Sequence, residues 1–229
     1  MKRLGPPGKH KIFAVGDIHG HYEKLASLIG RLPFDPDRDF LIFLGDYINR
    51  QPASREVIEY LLEIGRRVRN AVFLLGNHEY ELLEYSRTGS LDHLRTLRAA
   101  GIEDTLKSYS DSPVSSLADL SFMPAEHILF LKTLQTHFRL EGPSHPPYLF
   151  IHAGTIPGED LETCPLDRLL TVRDIFLQYE GPSEVVTVFG HTRFETPFVT
   201  ADKIGIDTGA AYGNLLTAVE LPAMRFYHA

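Results

Sequence analysis

The segment Gly16-Asp17-Ile18-His19-Gly20 directly follows the apolar run Ile12-Phe13-Ala14-Val15. A short apolar run that ends at a glycine is typical of a buried strand, and the glycine allows a sharp turn close to another backbone or a ligand. The segment therefore predicts a buried strand whose end presents a carboxylate, that of Asp17, and an imidazole, that of His19.

The same arrangement recurs four times along the chain. Each of four further apolar runs predicts a buried strand and ends beside a short motif that combines glycine with polar residues. These motifs are Gly45-Asp46-Tyr47, Gly76-Asn77-His78-Glu79, His152-Ala153-Gly154 and Gly190-His191-Thr192. Five strands are thus expected to bring carboxylate, carboxamide and imidazole groups to one edge of a sheet, which predicts a metal site.

The donor atoms of these motifs restrict which metal ions the site is expected to bind. All of them are oxygen or nitrogen, which favours Mn, Fe or Zn over a thiolate-bound site. Six side chains are too many for one ion with an open position, so they predict two ions that share one carboxylate. In hydrolytic sites of this kind the ions lie about 3.5–4 Å apart and lower the pKa of a water molecule. The candidate ligands are Asp17, His19, Asp46, Asn77, His152 and His191.

The pattern between the motifs predicts an α/β fold in a single domain, residues 1–229. Amphipathic helices are expected over residues 22–32 and 52–68. The resulting β-α-β-α-β order favours right-handed crossovers and a mainly parallel sheet. Residues from about 79 to 140 are expected to form a helical insertion or cap over the site. The last third of the chain returns to short apolar runs and predicts a second sheet packed face to face with the first.

In this order along the chain, the motifs resemble those of the calcineurin-like metallophosphoesterase superfamily. Residues 206–213 and 215–221 extend the resemblance to the C-terminal end, and residues 123–134 resemble a helix of compact bacterial-type members. Within the superfamily the chain is most similar to the phosphoprotein phosphatase branch, which is specific for serine and threonine. The resemblance implies a β-sandwich of two mixed sheets flanked by helices, with a helical insertion.

The resemblance also implies roles for individual residues. Asp17, His19 and Asp46 would bind the first ion, and Asp46 would bridge to a second ion completed by Asn77, His152 and His191; manganese is the first expectation for both, with iron or zinc as alternatives. A hydroxide that bridges the two ions would attack phosphorus while His78 protonates the leaving alkoxide. The implied catalytic set is His78, Asn49 and Arg50, and the implied substrate-binding set is Arg50, Asn77, Arg173 and Tyr212.

One position departs from the family pattern. Asn49 stands where the family has an aspartate that orients the catalytic histidine, and Gln51 stands where it has a glycine. An Asn carbonyl could accept the ring N–H of His78, but it has no charge to stabilise an imidazolium ion. In the serine-protease triad the corresponding Asp-to-Asn change lowers turnover by roughly 10⁴. We expect a smaller cost here for substrates with good leaving groups, which need little protonation.

Three functions follow from these motifs. The first is a metal-dependent phosphomonoesterase that acts on phosphoserine or phosphothreonine in proteins. The second applies the same chemistry to a nucleotide, such as a dinucleoside polyphosphate of the Ap4A type. The third is a metal- and phosphate-binding regulatory protein whose turnover is weak because of Asn49.

The composition is consistent with a cytoplasmic enzyme. The net charge of −7 argues against a general binder of nucleic acid polymers. The single cysteine, Cys164, cannot form an internal disulfide and fits a reducing compartment. The first eight residues read as a loose tail rather than a signal peptide, and no apolar stretch is long enough to predict a membrane partner.

Overall fold

The structure is a computed structural model that describes residues 2–3, 10–110, 116–142 and 145–229. Strands and helices alternate in the first half of the chain, and strands dominate the second. The strands are β1 Lys2–Arg3, β2 Ile12–Val15, β3 Phe40–Phe43, β4 Asn70–Phe73, β5 His137–Gly142, β6 His145–Ile151, β7 Val186–Phe189, β8 Phe198–Val199, β9 Lys203–Gly205, β10 Thr217–Leu221 and β11 Arg225–His228. The helices are α1 Tyr22–Arg31, α2 Ser54–Arg67, α3 Asn77–Thr88, α4 Leu91–Ala99, α5 Ile102–Tyr109, α6 Ala125–Lys132, α7 Leu166–Leu169 and α8 Asp174–Leu177, and a 3₁₀ turn covers Ala210–Tyr212.

The first sheet has the strand order β11-β10-β2-β3-β4. Strands β2, β3 and β4 are parallel, as the predicted β-α-β-α-β order requires, and α1 and α2 form their connections. Strand β10 pairs antiparallel with β2, so the C-terminal hairpin β10–β11 closes this sheet rather than the other. The carboxyl ends of the three parallel strands therefore lie together at one edge.

The second sheet has the order β1-β5-β6-β7-β9-β8 and also mixes parallel with antiparallel pairs. Strands β6, β7 and β9 are parallel. Strand β5 pairs antiparallel with β6 and parallel with β1, and β8 pairs antiparallel with β9. The prediction of an α/β sandwich of two mixed sheets is thus confirmed. The prediction that the whole last third forms the second sheet is wrong for β10 and β11, because the alternation of buried residues does not specify which sheet a strand joins.

Side-chain alternation in the strands explains the layers. Ile12 and Ala14 face Phe150 of the second sheet in a core between the two sheets. Phe13 and Val15 point the other way and pack beneath the helices that cover the first sheet. A third buried cluster lies on the outer face of the second sheet, where α7 and α8 cover it. The chain therefore forms two packed sheets with helices on both outer faces.

The helical insertion ends earlier than the sequence predicts. Helices α3 to α6 lie between Asn77 and Lys132, but β5 begins at His137, inside the range predicted to be helical. In β5 the apolar residues Phe138 and Leu140 alternate with polar ones, and they pack in the core between the sheets. A period of two over six residues is too short to stand out beside a long helical region. That the chain is one domain stays a prediction.

The structure bears only in part on the predicted N-terminal tail and on the predicted lack of a membrane-spanning segment. The predicted N-terminal tail lies largely outside the described residues. Among the helices of the described segments, none is both long and apolar enough to cross a membrane.

The helix layer should contribute strongly to stability through Leu61. This α2 side chain is fully buried against the first sheet, so Leu61→Ala should lower the free energy of unfolding by about 2–5 kcal/mol. Leu129→Ala is the matched control, because the Leu129 side chain is 63% exposed. Urea unfolding of both variants measures the difference, and equal midpoints would contradict the proposed packing.

Candidate metal centre

The motifs of the sequence meet at one edge of the two sheets. They follow β2, β3, β6 and β7 and begin α3, and four of these five segments line a single cavity of about 340 Å³. His152 lies fully buried directly behind this cavity. The cavity is lined by Asp17, His19, Asp46, Arg50, Asn77, His78, Arg173, His191, Thr192, Arg193, Asp207 and Tyr212.

Backbone strain is concentrated at this edge. Seven non-glycine residues of the described segments have positive φ, and five of them belong to the site. Residues with side chains rarely adopt this conformation, and it costs of order 1–3 kcal/mol each unless the surrounding structure enforces it. The five are His19, Asp46, Asn49, Arg50 and His191.

The Glu79 carboxylate holds the central turn in place. It is completely buried and accepts hydrogen bonds from the backbone N–H groups of Asp46 (3.0 Å), Tyr47 (2.8 Å), Ile48 (3.1 Å) and Gly76 (3.2 Å). These donors come from the turn after β3 and from the start of α3. One side chain therefore joins the two segments that present Asp46 and Asn77.

A close backbone approach completes this junction. Gly45 has φ +104°, and a Cβ at this position would lie 2.6 Å from the Gly76 nitrogen and 3.0 Å from His152 Nδ1. Any side chain here would separate the two turns and displace His152. The glycine of the second motif is therefore required by contact as well as by conformation.

A first group of donors surrounds one carboxylate oxygen of Asp46. His19 Nε2 lies 3.4 Å from Asp46 Oδ2, and His19 Nδ1 lies 3.2 Å from the carbonyl oxygen of Ile48. A hydrogen bond donated by Nδ1 leaves Nε2 free to bind a metal. Histidines that ligate metals commonly donate their other ring N–H to a backbone carbonyl oxygen in this way. Asp17 lines the same cavity, and its carboxylate accepts the backbone N–H of His191 at 3.0 Å.

A second group surrounds the other oxygen of the same carboxylate. Asn77 Oδ1 lies 3.1 Å from His152 Nε2 and 2.9 Å from His191 Nδ1, and Asp46 Oδ1 lies 3.5 Å from His152 Nε2. The other ring nitrogen of His152 donates to the carbonyl oxygen of Leu44 at 2.8 Å. Ligands held about 2.0–2.2 Å from one ion lie roughly 3.0–3.5 Å from each other. Two clusters therefore have the donor chemistry and the spacing of a divalent metal site: His19, Asp46 and His78, and Asp46, His152 and His191. Asp46 is shared between them, and Asp17 lines the cavity beside the first cluster, in which the family pattern would place it as a ligand.

The protonation of these groups favours cation binding. Burial lowers the pKa of His19 and of His191 to about 3, so both imidazoles are neutral, as metal ligands must be. Burial, together with the charges of Asp207 and Asp46, raises the pKa of Asp17 above its usual range. Several carboxylates thus lie close together in a buried site, and a bound cation would reduce the electrostatic repulsion between them.

His78 directly contacts Asn49, the residue that differs from the family pattern. Its Nδ1 lies 3.0 Å from Asn49 Nδ2, and its Nε2 lies 3.8 Å from Asp46 Oδ2. Asn49 Oδ1 accepts from the hydroxyl of Thr105 (2.8 Å), whose oxygen accepts the Asn49 backbone N–H (2.9 Å). The amide therefore donates to the ring where we expected its carbonyl to accept, and the ring proton lies on Nε2, toward the cavity.

The remaining predicted site residues also reach the cavity. Arg173 Nε lies 3.1 Å from His191 Nε2, and Arg50 and Tyr212 line the wall. The structure thus brings together all the residues predicted for the site, although their individual roles stay predictions. Sequence reasoning missed Arg193 and Thr105, and it gave no catalytic or binding role to Asp207, which also lines the cavity. Arg193 follows the Gly190-His191-Thr192 motif directly, and this was its one signal.

Comparison with known proteins agrees with the geometry. The family profile described as calcineurin-like phosphoesterase matches residues 10–202, so the chain belongs to the calcineurin-like phosphoesterase family. It is a metal-dependent phosphoester hydrolase.

The names of the relatives indicate two classes of substrate, nucleosyl tetraphosphates and phosphoproteins. The chain is 28% identical to the asymmetrical bis(5'-nucleosyl)-tetraphosphatase PrpE of Halalkalibacterium halodurans over 93% of its own length and 90% of that protein. It is 30% identical to serine/threonine-protein phosphatase 2 of Escherichia coli, with 87% of each covered. It is 33% identical over 64% of its length to a symmetrical bis(5'-nucleosyl)-tetraphosphatase of Aromatoleum aromaticum, but spans only 45% of that protein.

A solved structure shares the fold. The crystal structure of a protein assigned as a diadenosine tetraphosphatase superposes with a TM-score of 0.70 and covers 99% of this chain and 96% of that one. The sequence identity is 22%, so this likeness concerns the fold alone.

The Glu79 carboxylate should be essential for the site. Glu79→Gln replaces one acceptor oxygen with an NH₂ group that faces two backbone donors, so it should lower the free energy of unfolding by about 2 kcal/mol or more and weaken metal binding. Glu84→Gln on the same helix, which removes only a surface pair with Arg87, should change both by little. Denaturant unfolding and metal titration of the two variants provide the comparison, and a Glu79 variant that behaves like wild type would contradict the role of this carboxylate.

Proposed function

We propose that this enzyme hydrolyses the phosphoanhydride bond of dinucleoside polyphosphates at a centre of two divalent ions. Asp17, His19 and Asp46 would hold one ion, and Asp46, Asn77, His152 and His191 the other. The observation that supports this most directly is that Asp46 is shared between two donor clusters, one with His19 and His78 and one with His152 and His191. Asp17, which lines the same cavity, would complete the first set of ligands in place of His78. When bound, two such ions supply hydroxide near neutral pH from a water of lowered pKa and screen the charge of a phosphate. The oxygen and nitrogen donors suit manganese, with iron and zinc as alternatives.

The chain's own residues would bind and orient the phosphate. Arg50 and Arg173 lie on the wall of the cavity, where a guanidinium group can bind two phosphate oxygens at once. Arg50 Nε is buried and has no hydrogen-bond partner among the described residues, so it is available for an anion. His78 Nε2–H would donate a hydrogen bond to the oxygen of the leaving group.

The contact between Asn49 and His78 favours an anhydride over an alkyl ester. Burial lowers the pKa of His78 and the Arg50 charge adds to this effect, although Asp46 opposes it. The Asn49 amide offers no negative charge to counter the burial, and its NH₂ group lies against Nδ1. A neutral imidazole can donate a hydrogen bond but is a poor proton donor. Cleavage of an anhydride releases a phosphate group of pKa about 6, which leaves without a proton, whereas a serine alkoxide needs one.

A serine/threonine protein phosphatase remains the second candidate. The similarity to the Escherichia coli phosphatase over 87% of both chains supports it, and the cavity has the groups that a phosphomonoester needs. The two candidates separate in one assay. We expect Mn-dependent release of nucleotides from a dinucleoside tetraphosphate to exceed phosphate release from a phosphothreonine peptide, with Asp17→Asn as the blank. The reverse order would select the protein phosphatase, and binding of metal and phosphate with negligible turnover of both would select a regulatory protein.

Asp46→Asn should be the most damaging single substitution at the site. It removes a charge shared by both donor groups, so the activity should fall by about 100-fold or more and fewer metal ions should bind per chain. Asp92→Asn, on the exposed face of α4, is the matched control and should retain the wild-type activity and metal content. Elemental analysis beside the hydrolysis assay tests this expectation. Wild-type metal content and turnover in the Asp46 variant would contradict the two-ion proposal.

Asn49→Asp should shift the preference for leaving groups. The carboxylate can still accept from Thr105 and can also accept a hydrogen bond from His78 Nδ1–H, which would stabilise the imidazolium form that gives a proton to the leaving group. The rate for alkyl phosphomonoesters relative to dinucleoside tetraphosphate should rise about tenfold or more, within the 10²–10⁴ that general acid catalysis can contribute. Asn70→Asp, outside the cavity, is the control. The check is kcat/KM across leaving groups of increasing basicity, and an unchanged dependence would contradict this role of Asn49.

A further inference from the structure

An exposed tyrosine lies beneath two guanidinium groups at the edge of the cavity. Tyr212 is 58% exposed, and its ring centroid lies 4.3 Å from the Arg193 Cζ and 5.1 Å from the Arg50 Cζ. A guanidinium group within about 6 Å of an aromatic ring is attracted to its face. The tyrosine therefore fixes the direction of two cationic side chains at one opening.

The segment that presents this tyrosine is itself anchored. Residues Gly209–Asn214, here called the rim loop, receive hydrogen bonds from two side chains of other elements. Lys24 of α1 donates to the carbonyl oxygens of Ala210 (3.1 Å) and Asn214, and Gln51 donates to that of Ala211 (3.3 Å). Gln51 is the residue that replaces the family's glycine, so this departure provides a contact to the rim loop.

The start of the rim loop also shapes the position of Arg193. Gly209 has φ +81°, and a Cβ there would lie 3.0 Å from Arg193 Cδ. The arginine stem thus packs over a bare backbone, and Asn214 at the other end of the loop donates to the carbonyl oxygen of Glu195 (3.1 Å). The position of Arg193 over the ring is consequently set by packing on both sides.

The cavity opening has more guanidinium groups than one phosphate requires for binding. Arg50 and Arg173 already provide two guanidinium groups for the reacting phosphate. Within the described part of the chain, no carboxylate lies within ion-pair distance of Arg193, although burial raises the pKa of the neighbouring Asp207 carboxyl and the Arg193 charge acts to lower it. Arg50, which shares the tyrosine ring, also has a buried nitrogen without a partner. Two adjacent, preoriented guanidinium groups that lack a direct ion pair form a site for an extended anion rather than for a single phosphate.

We infer that Arg193, held by Tyr212, binds the phosphate next to the one under attack and thereby selects polyphosphate substrates over monoesters. The inference rests on the proposed function and adds a specificity residue to it. A phosphomonoester has no second phosphate to reach Arg193, whereas every anhydride substrate has one. The substrate class is therefore a nucleotide with at least two consecutive phosphates.

Kinetics of Arg193→Met test this selection. For a dinucleoside tetraphosphate, kcat/KM should fall by about tenfold to a hundredfold more than it does for p-nitrophenyl phosphate, mainly through KM, because a hydrogen-bonded charge pair is lost. Arg193→Lys should recover part of the loss, since it keeps the charge but not the planar fork. Arg95→Met, whose parent residue pairs with Asp92 on α4, is the control and should leave the ratio unchanged.

Binding measurements give a readout that does not depend on turnover. Calorimetry with adenosine monophosphate and with its α,β-methylene diphosphate analogue compares ligands that differ by one phosphate. Wild type should bind the diphosphate analogue more tightly, and Arg193→Met should remove most of that difference. Tyr212→Leu should weaken the difference as well, whereas Tyr212→Phe, which keeps the ring, should preserve it.

The possible failures are distinct. If wild type does not hydrolyse the dinucleoside polyphosphate, the proposed function is overturned. If wild type hydrolyses it and Arg193→Met keeps the wild-type ratio between the two substrates, the inference about Arg193 is overturned. Equal weakening of both adenosine ligands in the Arg193 variant would also overturn it, because the contact would then be to the nucleoside or the first phosphate.

Discussion

The four hydrogen bonds accepted by the Glu79 carboxylate are the constraint on which the rest of the site depends. They tie the turn after β3 to the start of α3, and both segments present side chains to the cavity. Backbone N–H groups at such turns have no partner in the sheets or the helix, and leaving them unpaired in a buried site is costly. One buried carboxylate satisfies them all, so Asp46 and Asn77 are placed by a single interaction.

A second property of the site is that it combines strain with repulsion. Five residues adopt positive φ, and Asp17, Asp46 and Asp207 lie near each other in a buried cavity. Both features oppose folding, and the two close-packed sheets behind the cavity offset them. Bound cations would remove the repulsion and so couple metal affinity to the stability of this edge. The surrounding core therefore maintains an arrangement that the local sequence alone would not adopt.

Segments far apart in the chain position side chains on two sides of the cavity. Helix α5 of the insertion contributes Thr105, which forms a hydrogen bond with Asn49, and Asn49 in turn contacts His78. The rim loop contributes Tyr212, whose ring lies against the guanidinium groups of Arg50 and Arg193. Neither set of contacts involves a candidate metal ligand.

The sequence by itself determined the parallel strands, the helices that connect them and the candidate metal ligands, because apolar runs with adjacent glycine motifs are local signals. Only the tertiary structure decided which sheet β10 joins, where β5 begins and which side chains meet around the ligands. Thr105 contacts Asn49 across 56 positions, and Arg193 contacts Tyr212 from another loop. Thr105 has no local pattern that marks it, and Arg193 is marked only by its place directly after the Gly190-His191-Thr192 motif. Both contacts join segments that meet only after the sheets have packed.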